Sequence, residues 1–128
     1  MDASILVQTC DLWQPAENED AATLQSKTLS WSTTSNDAIC WFEPLSVDDK
    51  LAYFGDPFAK GFRLWLQITE KANIAEGYVA VCNSAADLLY GKGFTIKQVL
   101  VWDEVDADVQ HIEAITSMLD LLPPGVAV

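Results

Sequence analysis

The chain has 128 residues, half of them apolar, with seven Lys and Arg against nineteen Asp and Glu and a formal charge of −12. A chain of this length can bury a real core, and its 13 aromatics do not fit intrinsic disorder, so residues 1–128 read as one compact domain. The charge excludes direct nucleic-acid binding, which draws its affinity from Lys and Arg.

Residues 1–10 (MDASILVQTC) lack the basic and apolar regions of a secretory signal, and no apolar run approaches the ~18 residues of a spanning helix. The expectation is a cytoplasmic protein without membrane contact. Residues 4–9 read as a strand, with a helix as the alternative, and residues 16–25 as a helix. Residues 28–33 and 38–42 flank the polar TSND and read as a hairpin with Trp31 and Trp41 on neighbouring strands. Residues 46–54 read as a helix, because Ser46 stands three residues before Asp49, close to a capping box, and Gly55 stops it.

The clearest strand is 62–69 (FRLWLQIT), with Phe62, Leu64, Leu66 and Ile68 on one face and Arg63, Trp65, Gln67 and Thr69 on the other. Residues 78–82 read as a strand or a helix, and residues 84–90 as a helix from an N-cap Ser84 to Gly91. The run from Gly77 through Val81, followed by Asn83 to Gly91, resembles the strand-then-helix beginning of PAS-type sensor domains; the apolar strand that follows departs from that pattern. That strand, 94–102, is rich in β-branched residues after a Gly-x-Gly turn.

The longest predicted helix runs over 104–122. Val105, Val109, Ile112, Ile115, Leu119 and Leu122 form one apolar stripe at helical spacing, acids crowd the first turn, and Pro123-Pro124 ends it. Together these elements predict an α+β fold: a mostly antiparallel sheet with helices packed on one face and a long C-terminal amphipathic helix.

Chemistry is sparse. His111 is the single histidine, and Cys10, Cys40 and Cys82 are too widely spaced for a disulfide framework or a paired metal motif. Gly91-Lys92-Gly93 lacks the upstream glycine and the Ser or Thr of a phosphate loop, and the carboxylates between Asp103 and Asp108 lack the loop glycine and late glutamate of a calcium hand. The expectation is therefore no enzyme, no metal and no cofactor.

Charge distribution carries more information. Residues 1–26 and 98–128 hold eleven of the acids and no Lys or Arg, so −11 of the −12 belongs to the two ends. On the predicted C-terminal helix Asp106, Glu113 and Asp120 recur every seven residues as one acidic stripe. Such a stripe serves solubility, or it selects a basic partner. Trp13, beside Glu17, Glu19 and Asp20, reads as a hot-spot anchor or as a ring folded onto the core, whereas Trp41, Trp65 and Trp102 read as core or half-buried sheet residues.

The leading expectation is a small acidic binding protein that engages a basic protein, as an inhibitor, an immunity protein or a secretion-type adaptor or chaperone. Its candidate protein-binding residues are Trp13, Glu17, Glu19, Asp20, Asp103, Asp106, Asp108, Glu113 and Asp120. The alternatives are a small enzyme or ligand-binding domain with a pocket, and a structural subunit forming a homodimer through Trp31 or Trp65.

Overall fold

A computed structural model describes residues 8–19, 27–104 and 106–128, with the backbone alone at 17–19 and 27–29. Alternating side chains set its architecture: six strands have one face that must leave water, and they solve this by closing on themselves. The elements are β1 (Gln8–Glu19), β2 (Lys27–Pro44), α1 (Val47–Phe54), β3 (Gly61–Gln67), β4 (Val79–Cys82), β5 (Gly93–Trp102) and β6 (His111–Met118). They form a closed barrel in the order β1-β2-β3-β6-β5-β4, each strand antiparallel to its neighbours. β1, β2 and β3 are sequential neighbours and β4 returns to the far side of β1, the Greek-key order.

The barrel is filled by Leu12, Phe42, Leu64, Leu66, Phe94, Ile96, Ile112 and their smaller neighbours, all buried. Phe42 stacks on Phe94 at 4.4 Å between centroids, and Phe62 meets Phe94 edge-on at 5.2 Å. One end is covered by a 3-10 segment, Ile68–Asn73, and the buried Ile74. At the other, the Gln8 side chain accepts from the Phe42 N–H at 2.6 Å and donates to Asp87 at 2.6 Å. A second apolar cluster lies outside the barrel wall, where Val79, Val81, Trp13, Trp31, Leu119 and Leu122 pack with Val126 of the C-terminal tail.

The expected α+β fold is overturned. Among the described residues the one α-helix is α1, which matches its prediction: the Ser46 hydroxyl accepts from the Asp49 N–H, and Gly55 ends the helix at φ 68°. The long helix over 104–122 does not exist. Its place is taken by a loop with a 3-10 turn, Ala107–Val109, and then β6. In β6, Ile112, Ala114 and Thr116 are buried at a period of two, but Ile115 is buried as well. That extra apolar residue produced the helical spacing. Strand pairing with β3 on one side and β5 on the other, together with β-branched Ile112, Ile115 and Thr116, favours the pleat.

Residues 28–33 and 38–42 belong to one strand, β2. The polar TSND between them marks a bulge, with register shifts on either side of its β1 partner Leu12 and a left-handed φ of 54° at Asp37. Residues 84–90 form successive turns, Asp87 N–H to Ser84 O and Tyr90 N–H to Asp87 O, so the helix expected there, and the resemblance to a PAS-type beginning, are not realised. The helix expected over 16–25 is strand up to Glu19; residues 20–26, like 4–7 of the first predicted strand, lie outside the described residues. No described helix is long and apolar enough to cross a membrane.

Candidate binding face

The inward set fixes the outward one. With Cys40, Phe42, Leu64, Leu66, Ile112 and Ala114 inside, Trp41, Trp65 and Glu113 point out, and the register places Trp41 opposite Trp65, Trp65 opposite Glu113, and Glu113 opposite Leu100. One step along, His111 stands between Gln67 and Trp102. Four adjacent strands thus carry a continuous aromatic band on the outer wall. Trp41 and Trp102 are 38% and 41% exposed, with Ile39 and Leu100 exposed beside them.

His111 forms the floor of this band. Its ring lies 5.3 Å from Trp65 and 5.9 Å from Trp102, nearly parallel to the latter at 16°. Nδ1 is 2.7 Å from the Val109 carbonyl and Nε2 is 3.1 Å from a Glu113 carboxylate oxygen. Carbonyl and carboxylate oxygens only accept, so both contacts are hydrogen bonds together when both ring nitrogens carry a proton.

Arg63 borders the band from β3. Its guanidinium stands 3.7 Å from each of Glu43, Asp49 and Glu113, one cation among three carboxylates drawn from β2, α1 and β6. These spacings exceed hydrogen-bond length, and the buried Nε has no hydrogen-bond acceptor. The contact is therefore electrostatic, and negative charge remains in excess.

The β5–β6 loop supplies the acidic rim. An open groove of about 470 Å3 is lined by Leu100, Val101, Trp102, Asp103 and Glu104. Lys71 donates to Asp103 at 2.5 Å, and this hydrogen bond and charge hold the Asp103 carboxyl below its ordinary range. Glu104, Asp106 and Asp108 are exposed, and among the described residues none of them has an ion-pair partner.

The candidate residues read from the sequence separate on this structure. Asp103, Asp106 and Asp108 share the β5–β6 loop, and Glu113 lies within the band itself. Asp120 sits past the opposite end of β6, bonded at 2.7 Å to Lys60, which lowers its carboxyl in the same way. The stripe of Asp106, Glu113 and Asp120 is lost with the helix, because Asp106 lies in the loop before β6, Glu113 within β6 and Asp120 beyond its far end. Trp13 is half-buried in the outer apolar cluster. Glu17 and Glu19 lie on the β1–β2 ribbon, opposite Leu29 and Lys27 in register, and Asp20 is outside the described residues.

Trp41, Trp65, Trp102, His111 and Arg63 were not among those candidates. The signal was present in Trp41 and Trp65, each flanked by apolar residues that alternate inward. It was passed over because a strand tryptophan reads equally as a core or a half-buried sheet residue.

All three thiols lie inside the barrel; a hydrogen bond with Cys40 and burial push the Cys10 thiol well up, and burial raises Cys82, so both are held as protonated, poor nucleophiles. Among the described residues no three His, Cys, Asp or Glu are placed to hold a metal ion. No family model, no curated protein and no solved structure matches this chain.

Proposed function

We propose that the chain is a binding module that docks a basic protein through the aromatic band on β2, β3, β6 and β5. One observation carries this reading: the exposed Trp41 and Trp102 lie on one outer wall, and the loop that follows Trp102 carries Glu104, Asp106 and Asp108, which have no ion-pair partner among the described residues. Tryptophan rings bind cations over their faces and dominate interface hot spots, while carboxylates at the rim steer a cationic partner and reject acidic ones. Arginine suits this combination best, since its guanidinium both stacks on an indole and pairs with a carboxylate.

The test uses a short arginine-rich peptide as probe and the same peptide with glutamine in place of arginine as control, read by tryptophan fluorescence and calorimetry. The arginine peptide binds, the affinity falls as salt rises, and Trp102→Ala weakens it by roughly tenfold or more, about 1.4 kcal/mol. Equal affinity for the two peptides, or indifference to Trp102→Ala, overturns the proposal.

A further inference from the structure

The chain has one histidine, and it stands in the aromatic band with an acceptor at each ring nitrogen: the Val109 carbonyl at Nδ1 and the Glu113 carboxylate at Nε2. A neutral imidazole carries a single N–H, so it satisfies one of the two and turns a lone pair on the other. Only the imidazolium satisfies both.

The two acceptors differ in freedom. The Val109 carbonyl belongs to a 3-10 turn, whose Val109 N–H is bonded to the Asp106 carbonyl at 2.9 Å, and the Gln110 side-chain amide next to it donates to the Asp103 carbonyl at 3.0 Å. The Glu113 carboxylate ends a flexible, partly exposed side chain. The proton of neutral His111 therefore stays on Nδ1, where the acceptor cannot turn away. At Nε2 a lone pair then faces a carboxylate oxygen, the two repel, and Glu113 swings out from the ring. Protonation gives Nε2 its hydrogen and draws the carboxylate back.

The neighbours of His111 on the other elements are named from the register. β3 presents Gln67 directly opposite and Trp65 beside it, and β5 presents Trp102. Arg63 of β3 faces Glu113 at 3.7 Å, beyond hydrogen-bond length, and divides its charge with Glu43 and Asp49. In the β5–β6 loop Asp103 is engaged by Lys71, while Glu104, Asp106 and Asp108 are exposed.

We infer that His111 is a proton switch on the proposed binding face, an inference that rests on that reading: the neutral ring releases Glu113 to a cationic ligand, and the protonated ring takes the carboxylate for itself. Two effects act in the same direction. The imidazolium occupies Glu113, and its positive charge, 5.3 Å from Trp65 and 5.9 Å from Trp102, repels a guanidinium brought to the same indoles. Proton and ligand compete, so binding of the ligand expels the proton.

The probe is the arginine-rich peptide with an acetylated N-terminus, whose charge is constant because arginine keeps its proton. Calorimetry with the full chain is run at about pH 8 and about pH 5.5, on either side of the range in which histidine ordinarily changes charge. Affinity falls roughly fivefold or more at the lower pH, and His111→Gln removes most of that fall, whatever its affinity at the higher pH. In the parent chain without peptide, the side-chain carboxyl carbon of Glu113 shifts in NMR in step with the ring protons of His111. An affinity unchanged by pH, a fall of the same size in a His111→Gln chain whose circular dichroism shows an intact barrel, or a Glu113 signal that ignores the His111 titration overturns the switch. Absence of binding at both pH values overturns the reading of the face, and the switch with it.

Discussion

Lys71 and Asp103 meet at the rim of the aromatic band, and they provide the most local check on its electrostatics. The Lys71 hydrogen bond and charge lower the Asp103 carboxyl, so Lys71→Met is expected to raise its titration midpoint toward the ordinary carboxylate range, followed by NMR of the side-chain carboxyl. An unmoved midpoint would mean that the two groups do not meet in solution. Inside the barrel the thiols set a different pH dependence. Cys10 and Cys82 titrate above their ordinary value of 9.0 in the folded chain, so the protonated native state gives stability that is fully present below that value and lost as pH rises through it. The unfolded chain ionises first. Urea unfolding in mildly alkaline buffers should show stability falling as pH rises, and falling less steeply in Cys10→Ala than in the parent chain; equal slopes would place the Cys10 thiol in contact with water.

At the scale of elements, α1 depends on close approach to the start of β3. A Cβ on Gly61 would lie 2.7 Å from Phe54 Cε2 and 2.9 Å from Leu45 Cδ1, nearer than ordinary contact, so both side chains would have to shift. Gly61→Ala is expected to cost about 1–3 kcal/mol in urea unfolding, as overpacking does. Unchanged stability would show that α1 is not docked there. The same scale explains what could be read in advance. α1, β3 and β5 were legible because a cap, an alternating pattern and a β-branched run after a Gly-x-Gly turn are local signals, and spacing alone put Leu64 and Leu66 on one face. β6 was not, because Ile115 is buried between Ala114 and Thr116 and turns a period of two into an apparent helical stripe. β2 was split in two because the residues of a bulge, Ser35, Asn36 and Asp37, are also those of a turn. The aromatic band was invisible for a further reason: which side of a strand faces out depends on which strands lie beside it, and closure of the barrel is a non-local fact.

Across the whole molecule, the charge of −12 is not gathered into one stripe. Part of it lies on carboxylates that face Lys60, Lys71 and Arg63, part on the ribbon, and part on Glu104, Asp106 and Asp108, which have no ion-pair partner among the described residues. The last follows directly on Trp102, at the edge of the aromatic band. Long-range attraction from the net charge and short-range stacking on the band are separable, since salt screens the first far more than the second. A basic partner should therefore lose association rate with added salt while retaining contacts to the tryptophans.

The most direct measurement follows the indole N–H resonances of the five tryptophans by NMR during titration with the arginine-rich peptide. Signals of Trp41, Trp65 and Trp102 should move together, with those of Trp13 and Trp31, in the outer apolar cluster, left in place. Movement confined to Trp13 and Trp31, or no movement at saturating peptide, would contradict the assignment of the binding face.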